Sequence, residues 1–173
     1  PLSALGQPAT PTQQPGVTPP AFGIEGWRYR PGANDVHFYD CERPDCTPGS
    51  KVSYRLYALG GPLKSLEQFR SEQERVARFL EEKGPPGTKV QVLQVEGDNR
   101  TEPPRFMRAV RLQTKGDGSK EFVISGVIMG TKLDASLISS SSNEKAAKSN
   151  YAQFSIGVAL IVQDAIEKKT PAK

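Results

Sequence analysis

The sequence predicts an α+β fold in which an antiparallel β-sheet is sandwiched between helices (α/β/α). Three observations predict it. Lys51 to Gly84 holds an alternating strand, a glycine-proline corner and an amphipathic helix in direct succession. A second helix with a broader apolar stripe closes the chain, over about residues 143 to 168. Between them, alternating or apolar segments follow one another too closely for the helical crossovers that parallel strands need. A chain of 173 residues is long enough to bury one such core and carry a tail.

Residues 1–21 carry Pro1, Pro8, Pro11, Pro15, Pro19 and Pro20 among Gln, Thr and Gly. This composition buries too little apolar surface to offset its ordering entropy, so a disordered tail is expected. Ala4-Leu5-Gly6 places small residues where a signal peptidase favours them, with cleavage before Gln7. The other reading is a flexible tail with a chance match. A single α+β domain is expected over 22–168, followed by a frayed basic end at 169–173.

In Gly26-Trp27-Arg28-Tyr29-Arg30, Trp27 and Tyr29 share one face of an extended segment. Trp27 has two readings, a core anchor or part of a partner-binding surface. Pro31 to Asp35 is a turn, and Val36 to Tyr39 alternates as a short strand leading into Cys41.

Cys41 and Cys46 are the two cysteines of the chain. Four intervening residues with a proline form a compact loop that brings the α-carbons within disulfide reach. A structural disulfide is expected, and with it an oxidising compartment such as a periplasm or secretory space. Two sharper readings compete. His37, Cys41 and Cys46 with Asp40 or Asp45 are potential metal ligands, but His37 is the only histidine and there is no second ligand pair. A redox-active pair usually has two intervening residues rather than four. No metal and no cofactor are therefore expected.

The strand 51–57 points Val52, Tyr54 and Leu56 one way and Ser53, Arg55 and Tyr57 the other. Gly60-Gly61-Pro62 makes the corner, and the following helix is expected to lie back over that strand. Its stripe is Leu66, Phe69, Gln73, Val76, Ala77 and Leu80. Ser65 and Gln68 have capping-box spacing. Gly84 is expected to close the helix as a residue tolerant of positive φ, and Pro85 and Pro86 prevent continuation. The opposite face, with Glu67, Arg70, Glu74, Arg75, Arg78, Glu81 and Glu82, is a solvated surface of mixed charge.

Val90, Val92 and Val95 mark the next strand, whose alternation slips at Leu93, as a bulge or a strand covered on both faces requires. Asn99-Arg100-Thr101 is a formal glycosylation sequon in the polar loop that follows. Residues 105–114 alternate again, with Phe106, Val110 and Leu112 opposite Met107, Ala109, Arg111 and Gln113. Lys115 to Ser119 is a hairpin loop. Glu121 to Met129 is nearly continuously apolar and belongs in the centre of the sheet. The serine-rich run 134–142 is expected to be a short last strand, with Ser142 or Asn143 capping the closing helix.

In that helix Ala147, Tyr151, Phe154, Val158, Ile161 and Ala165 recur at spacings of four and three. Leu160, Val162 and Ile166 broaden the stripe beyond one contact face. The helix is read as buried on the second face of the sheet, or as docking a partner through outward positions Leu160 and Ile166. Gly157 permits close approach to the sheet.

This order of strand, helix, antiparallel strands, serine-rich bend and closing helix with Asn150-Tyr151-Ala152-Gln153-Phe154 resembles the PsbP-like α/β/α sandwich family over about residues 50–167. The resemblance implies a non-enzymatic accessory or binding protein, frequently in a lumenal, periplasmic or secreted setting.

The chemistry of the chain agrees with that expectation. It has no GxSxG elbow, phosphate-binding loop, GxGxxG fingerprint or HExxH pattern. Nucleic acid is not expected as a partner. Arg105, Arg108, Arg111, Lys115 and Lys120 lie on two adjacent strands, but Arg108 and Arg111 alternate to opposite faces. The net charge of +4 suits weak attraction to anionic surfaces. No run of about 18 apolar residues marks a transmembrane helix. The sequence thus points to an envelope protein, periplasmic or secreted, acting on a protein partner of the cell envelope. The alternative is a small thiol- or histidine-dependent enzyme or redox protein using His37 with Cys41 or Cys46.

Overall fold

A computed structural model describes residues 22–59, 65–131 and 133–167, with side chains up to 163. The proline-rich tail, the Gly60-Gly61-Pro62 corner, the side chain of Ile166 and the basic end lie outside the described residues. Seven strands form one antiparallel sheet: β1 (Trp27–Pro31), β2 (His37–Cys41), β3 (Lys51–Ala58), β4 (Lys89–Gly97), β5 (Arg105–Thr114), β6 (Lys120–Met129) and β7 (Leu133–Ser141). Their order is β1-β2-β3-β7-β6-β5-β4. Helix α1 (Leu66–Lys83) lies on one face and α2 (Glu144–Glu167) on the other. This is the predicted α+β sandwich.

Strand alternation divides the core in two. Tyr39, Val52, Tyr54, Val110, Ile124, Ile128 and Leu137 meet Tyr151, Phe154, Val158 and Val162 of α2. On the reverse face Met107, Ala109, Val127 and Met129 surround Phe69 of α1. β5 and β6 are therefore covered on both sides, and β6 has the continuous apolar run that this position requires. The slip at Leu93 is a bulge, with the β4–β5 register shifting between Val92 and Gln94.

Three local expectations are corrected. α1 does not lie back over β3. It packs on β4 and β5, across the sheet from the strand that precedes it. The apolar residues that accept it, Met107 and Ala109, are there, whereas the same side of β3 presents Lys51, Ser53, Arg55 and Tyr57. Near the sheet edge α1 buries Phe69, Gln73 and Ala77 fully, and Leu66 stays exposed. The N-terminus forms as predicted: Ser65 Oγ accepts from the Gln68 N–H, and Gln68 Oε1 accepts from the Ser65 N–H.

Gly84 ends α1 at φ −74°, outside the left-handed region. Its absent side chain matters for another reason, because a Cβ there would overlap the carbonyl of Leu80. The serine-rich run is not a short last strand. β7 spans nine residues and is the middle strand of the sheet. It tolerates serine because the buried hydroxyls are paired. Ser139 Oγ donates to the Ala147 carbonyl at 2.9 Å, and the Ser50 and Ser141 hydroxyls are 2.8 Å apart. Asn143 then caps α2, its Oδ1 accepting from the Ala146 N–H.

Candidate functional site

The segment Asn150 to Phe154 ties three parts of the fold together. Asn150 Nδ2 donates to the Cys46 carbonyl at 3.0 Å, anchoring the cysteine loop to α2. Tyr151 sets its phenol against Gly126 of β6, where any side chain would collide with the hydroxyl. Phe154 meets Trp27 in a T-shaped contact with ring centroids 5.0 Å apart and packs on Phe22 and Tyr39.

Cys41 and Cys46 are bonded across a short 3₁₀ turn, with α-carbons 5.9 Å apart. Both are buried, so the bond is part of the inner wall of the loop. His37 lies on the same strand four residues before Cys41, about 13 Å away at strand rise. Its ring stacks on Tyr54 at 4.6 Å, and Tyr29 Oη lies 3.0 Å from its Nδ1. A neutral imidazole accepting there carries its hydrogen on Nε2, which is buried with no hydrogen-bond partner among the described residues. Burial lowers the affinity of His37 for a proton, although Asp35 opposes the effect. Histidine and disulfide are thus separate features. Among the described residues, no group of three or more His, Cys, Asp or Glu is placed to hold a metal ion.

Around His37 is an aromatic layer that the sequence does not show as a unit. Phe22 stacks on Tyr39 and Tyr54, and Tyr39 donates its hydroxyl to the Phe22 carbonyl. Burial pushes the Tyr39 phenol up to about 12 and raises that of Tyr54 further. The signal was aromatic spacing of two within each strand: Trp27 with Tyr29, and His37 with Tyr39. What it lacked was the order of the strands.

A cleft of about 300 Å3 opens on the α2 side between Glu96, Asp98, Phe106, Arg108, Tyr151 and Ser155. Its cation is already paired, Arg108 with Glu96, and Asp98 accepts from the Phe106 N–H. Burial holds the Tyr151 phenol protonated, against the opposing pull of Arg108. The cleft has neither a nucleophile beside a base nor an unpaired carboxylate pair.

Of the sequence-derived partner positions, Leu160 lies on the outward side of α2 and is 54% exposed. One turn earlier Ile156 is 66% exposed, an outward position the sequence reading passed over. Trp27 is half-buried against Phe154, at the rim of the core. Ile166 falls where no side chain is described. Gly157 faces the ring of Phe22 rather than the sheet. The basic strand residues separate as their alternation predicts. Arg108 is on the α2 side, whereas Arg111 is buried on the α1 side, donating to Gln73 Oε1.

The seven-stranded antiparallel sheet with a helix on each face is a PsbP-like fold. The chain is similar to the solution structure of cyanobacterial PsbP (CyanoP) from Synechocystis sp. PCC 6803, with a TM-score of 0.52 and 9% identity, over 82% of this chain and 81% of that one. At that identity the similarity is one of fold. No protein-family model and no curated protein matches the sequence.

Proposed function

We propose that this chain is a non-enzymatic accessory protein of the cell envelope, periplasmic or secreted, acting through protein–protein contact. The observation that carries the reading is the outward pair Ile156 and Leu160. They stand one above the other on α2, while Phe154 and Val158 on its inner side are fully buried. The fold makes no use of these two side chains, and covering them removes apolar surface from water. The Cys41–Cys46 bond supports an oxidising compartment. No helix among the described residues is long and apolar enough to cross a membrane. The PsbP-like architecture supports an accessory role, and the separation of His37 from the bonded cysteines disfavours a thiol enzyme.

The test is Leu160→Glu in a pull-down from envelope extract, with circular dichroism as the fold control. A partner captured by the wild type and lost with the variant is expected. Unchanged capture with an intact fold removes this surface from the proposal. Rapid alkylation of a cysteine at neutral pH without reductant favours the enzymatic alternative instead.

A further inference from the structure

The two faces of the sheet are not covered alike. On the α2 side β2, β3, β7, β6 and β5 all contribute to the main core. On the other side α1 covers β4 and β5, and Val127 and Met129 of β6 complete its cluster. Beyond them the outward residues of β7, β3, β2 and β1 form a platform four strands wide, about 19 Å at ordinary strand spacing. In register across β3 and β7, this platform reads Lys51 beside Ser140, Ser53 beside Ile138, Arg55 beside Ser136, and Tyr57 beside Asp134. Phe38 and Asp40 of β2 and Arg28 and Arg30 of β1 extend it. Tyr57 is 38% exposed and Ile138 39%, whereas Val52, Tyr54 and Leu137 on the reverse of the same strands are fully buried.

The charges decide what fits. Asp40 lies between Arg28 and Arg30, within 3.7 and 2.9 Å, and Glu42 also meets Arg28 at 3.5 Å, so two carboxylates answer those two cations. Lys51 stands opposite Asp40 in the β2–β3 register, yet among the described residues neither Lys51 nor Arg55 forms an ion pair, because Asp40 turns to the arginines of β1. Arg55 sits over the ring of Tyr57 at 4.9 Å, and its Nε is buried without a hydrogen bond. A guanidinium held against a ring keeps its donors in its own plane, and a carboxylate suits that geometry. Lys51 and Arg55 are four residues apart on one strand, about 13 Å, with Ile138 beside the midpoint.

We propose that this face docks an extended acidic segment of a protein partner, with carboxylates at its first and fifth positions and an apolar side chain at the third. Alternation puts those three side chains on one side of an extended segment. The carboxylates then meet Lys51 and Arg55, and the apolar residue meets Ile138. A single-stranded nucleic acid fits less well. The rings of Phe38 and Tyr57, on which bases would stack, are already covered by Arg30 and Arg55 at 4.5 and 4.9 Å. A second copy of this chain would present the same face, whose carboxylates Asp40 and Asp134 stand on different strands rather than four residues apart on one. The surface lies across the sheet from Leu160, so it stands independently of the helix surface proposed above.

The test uses the full chain and a fluorescent peptide containing Glu-Thr-Leu-Thr-Glu, read by anisotropy. Saturable binding that weakens with added salt is expected. Lys51→Glu and Arg55→Gln should each weaken it about tenfold or more, the loss of one charge-assisted contact. Leu160→Glu should leave it unchanged. Lys51 is exposed, so its substitution keeps the test valid if Arg55→Gln fails to fold. The proposal is overturned by absence of saturable binding, by equal binding of a peptide with lysine in place of both glutamates, or by indifference to Lys51→Glu. It is equally overturned if the variant-sensitive ligand proves to be vesicles containing phosphatidylglycerol, or oligothymidylate, with the peptide inert.

Discussion

Replacing Gln73 by leucine should destabilise the protein, although it removes a polar group from the core. Gln73 is 4% exposed and Arg111 is 6% exposed, and Arg111 Nη1 donates to Gln73 Oε1 at 2.6 Å. No ion pair of Arg111 is present among the described residues, and its Nε already lacks a partner. Burial alone lowers the proton affinity of the guanidinium, which nonetheless remains charged at neutral pH. Gln73 therefore supplies the acceptor that makes this buried cation tolerable. Removing it forfeits a hydrogen bond to a charged group, about 2 kcal/mol. For a domain of this size that corresponds to a melting temperature lower by roughly 6 °C. Arg111→Met alone strands the Gln73 amide and should cost about 1 to 2 kcal/mol. The double variant exchanges a buried polar pair for apolar packing and should lie within about 1 kcal/mol of wild type. Urea unfolding of all four proteins gives the coupling energy, expected at about 3 to 4 kcal/mol when the double variant matches wild type. If Gln73→Leu changed stability by less than about 0.5 kcal/mol, the guanidinium would be reaching water along its stem, and the account of this contact would be wrong.

Two further outcomes are expected. Intact mass of non-reduced protein from an oxidising host should show the Cys41–Cys46 bond with no alkylatable thiol, and reduction should lower stability by about 2 kcal/mol on the loop-entropy model. Two free thiols in that protein would remove both the bond and its support for the compartment. The His37 imidazole binds a proton less readily in the fold than in the unfolded chain. Its contribution is therefore complete above the unfolded value of 6.5 and falls as pH drops below it, because the unfolded state takes up the proton first. Chemical denaturation at a series of pH values should show this loss in the wild type and a shallower one in His37→Gln. Equal slopes would assign the acid sensitivity to other groups.

Much of the architecture was legible in the residues themselves. The capping box at Ser65 and Gln68, the bulge at Leu93, the two-faced alternation of 105–114 and the long stripe of α2 are local patterns. Each follows from backbone periodicity or from hydrogen bonds within one element. Leu160 was legible in the same way, because the angle around a helix fixes which residue faces away from the stripe.

The sequence by itself determined which segments are strands or helices, which side of each is apolar, and that both cysteines belong to one loop. Strand order was settled only in three dimensions, since period-two alternation is the same whichever neighbour a strand has. Tertiary structure therefore placed the serine-rich β7 at the centre, where Ala147 and Ser50 satisfy its hydroxyls. It carried α1 away from β3 to the apolar surface of β5, and so left Lys51, Arg55 and Ile138 on an open face. It also paired Gln73 with Arg111, 38 positions apart. Each of these depends on contacts between distant segments, whose worth is set by what each buried polar group finds opposite it, and no local pattern encodes that partner.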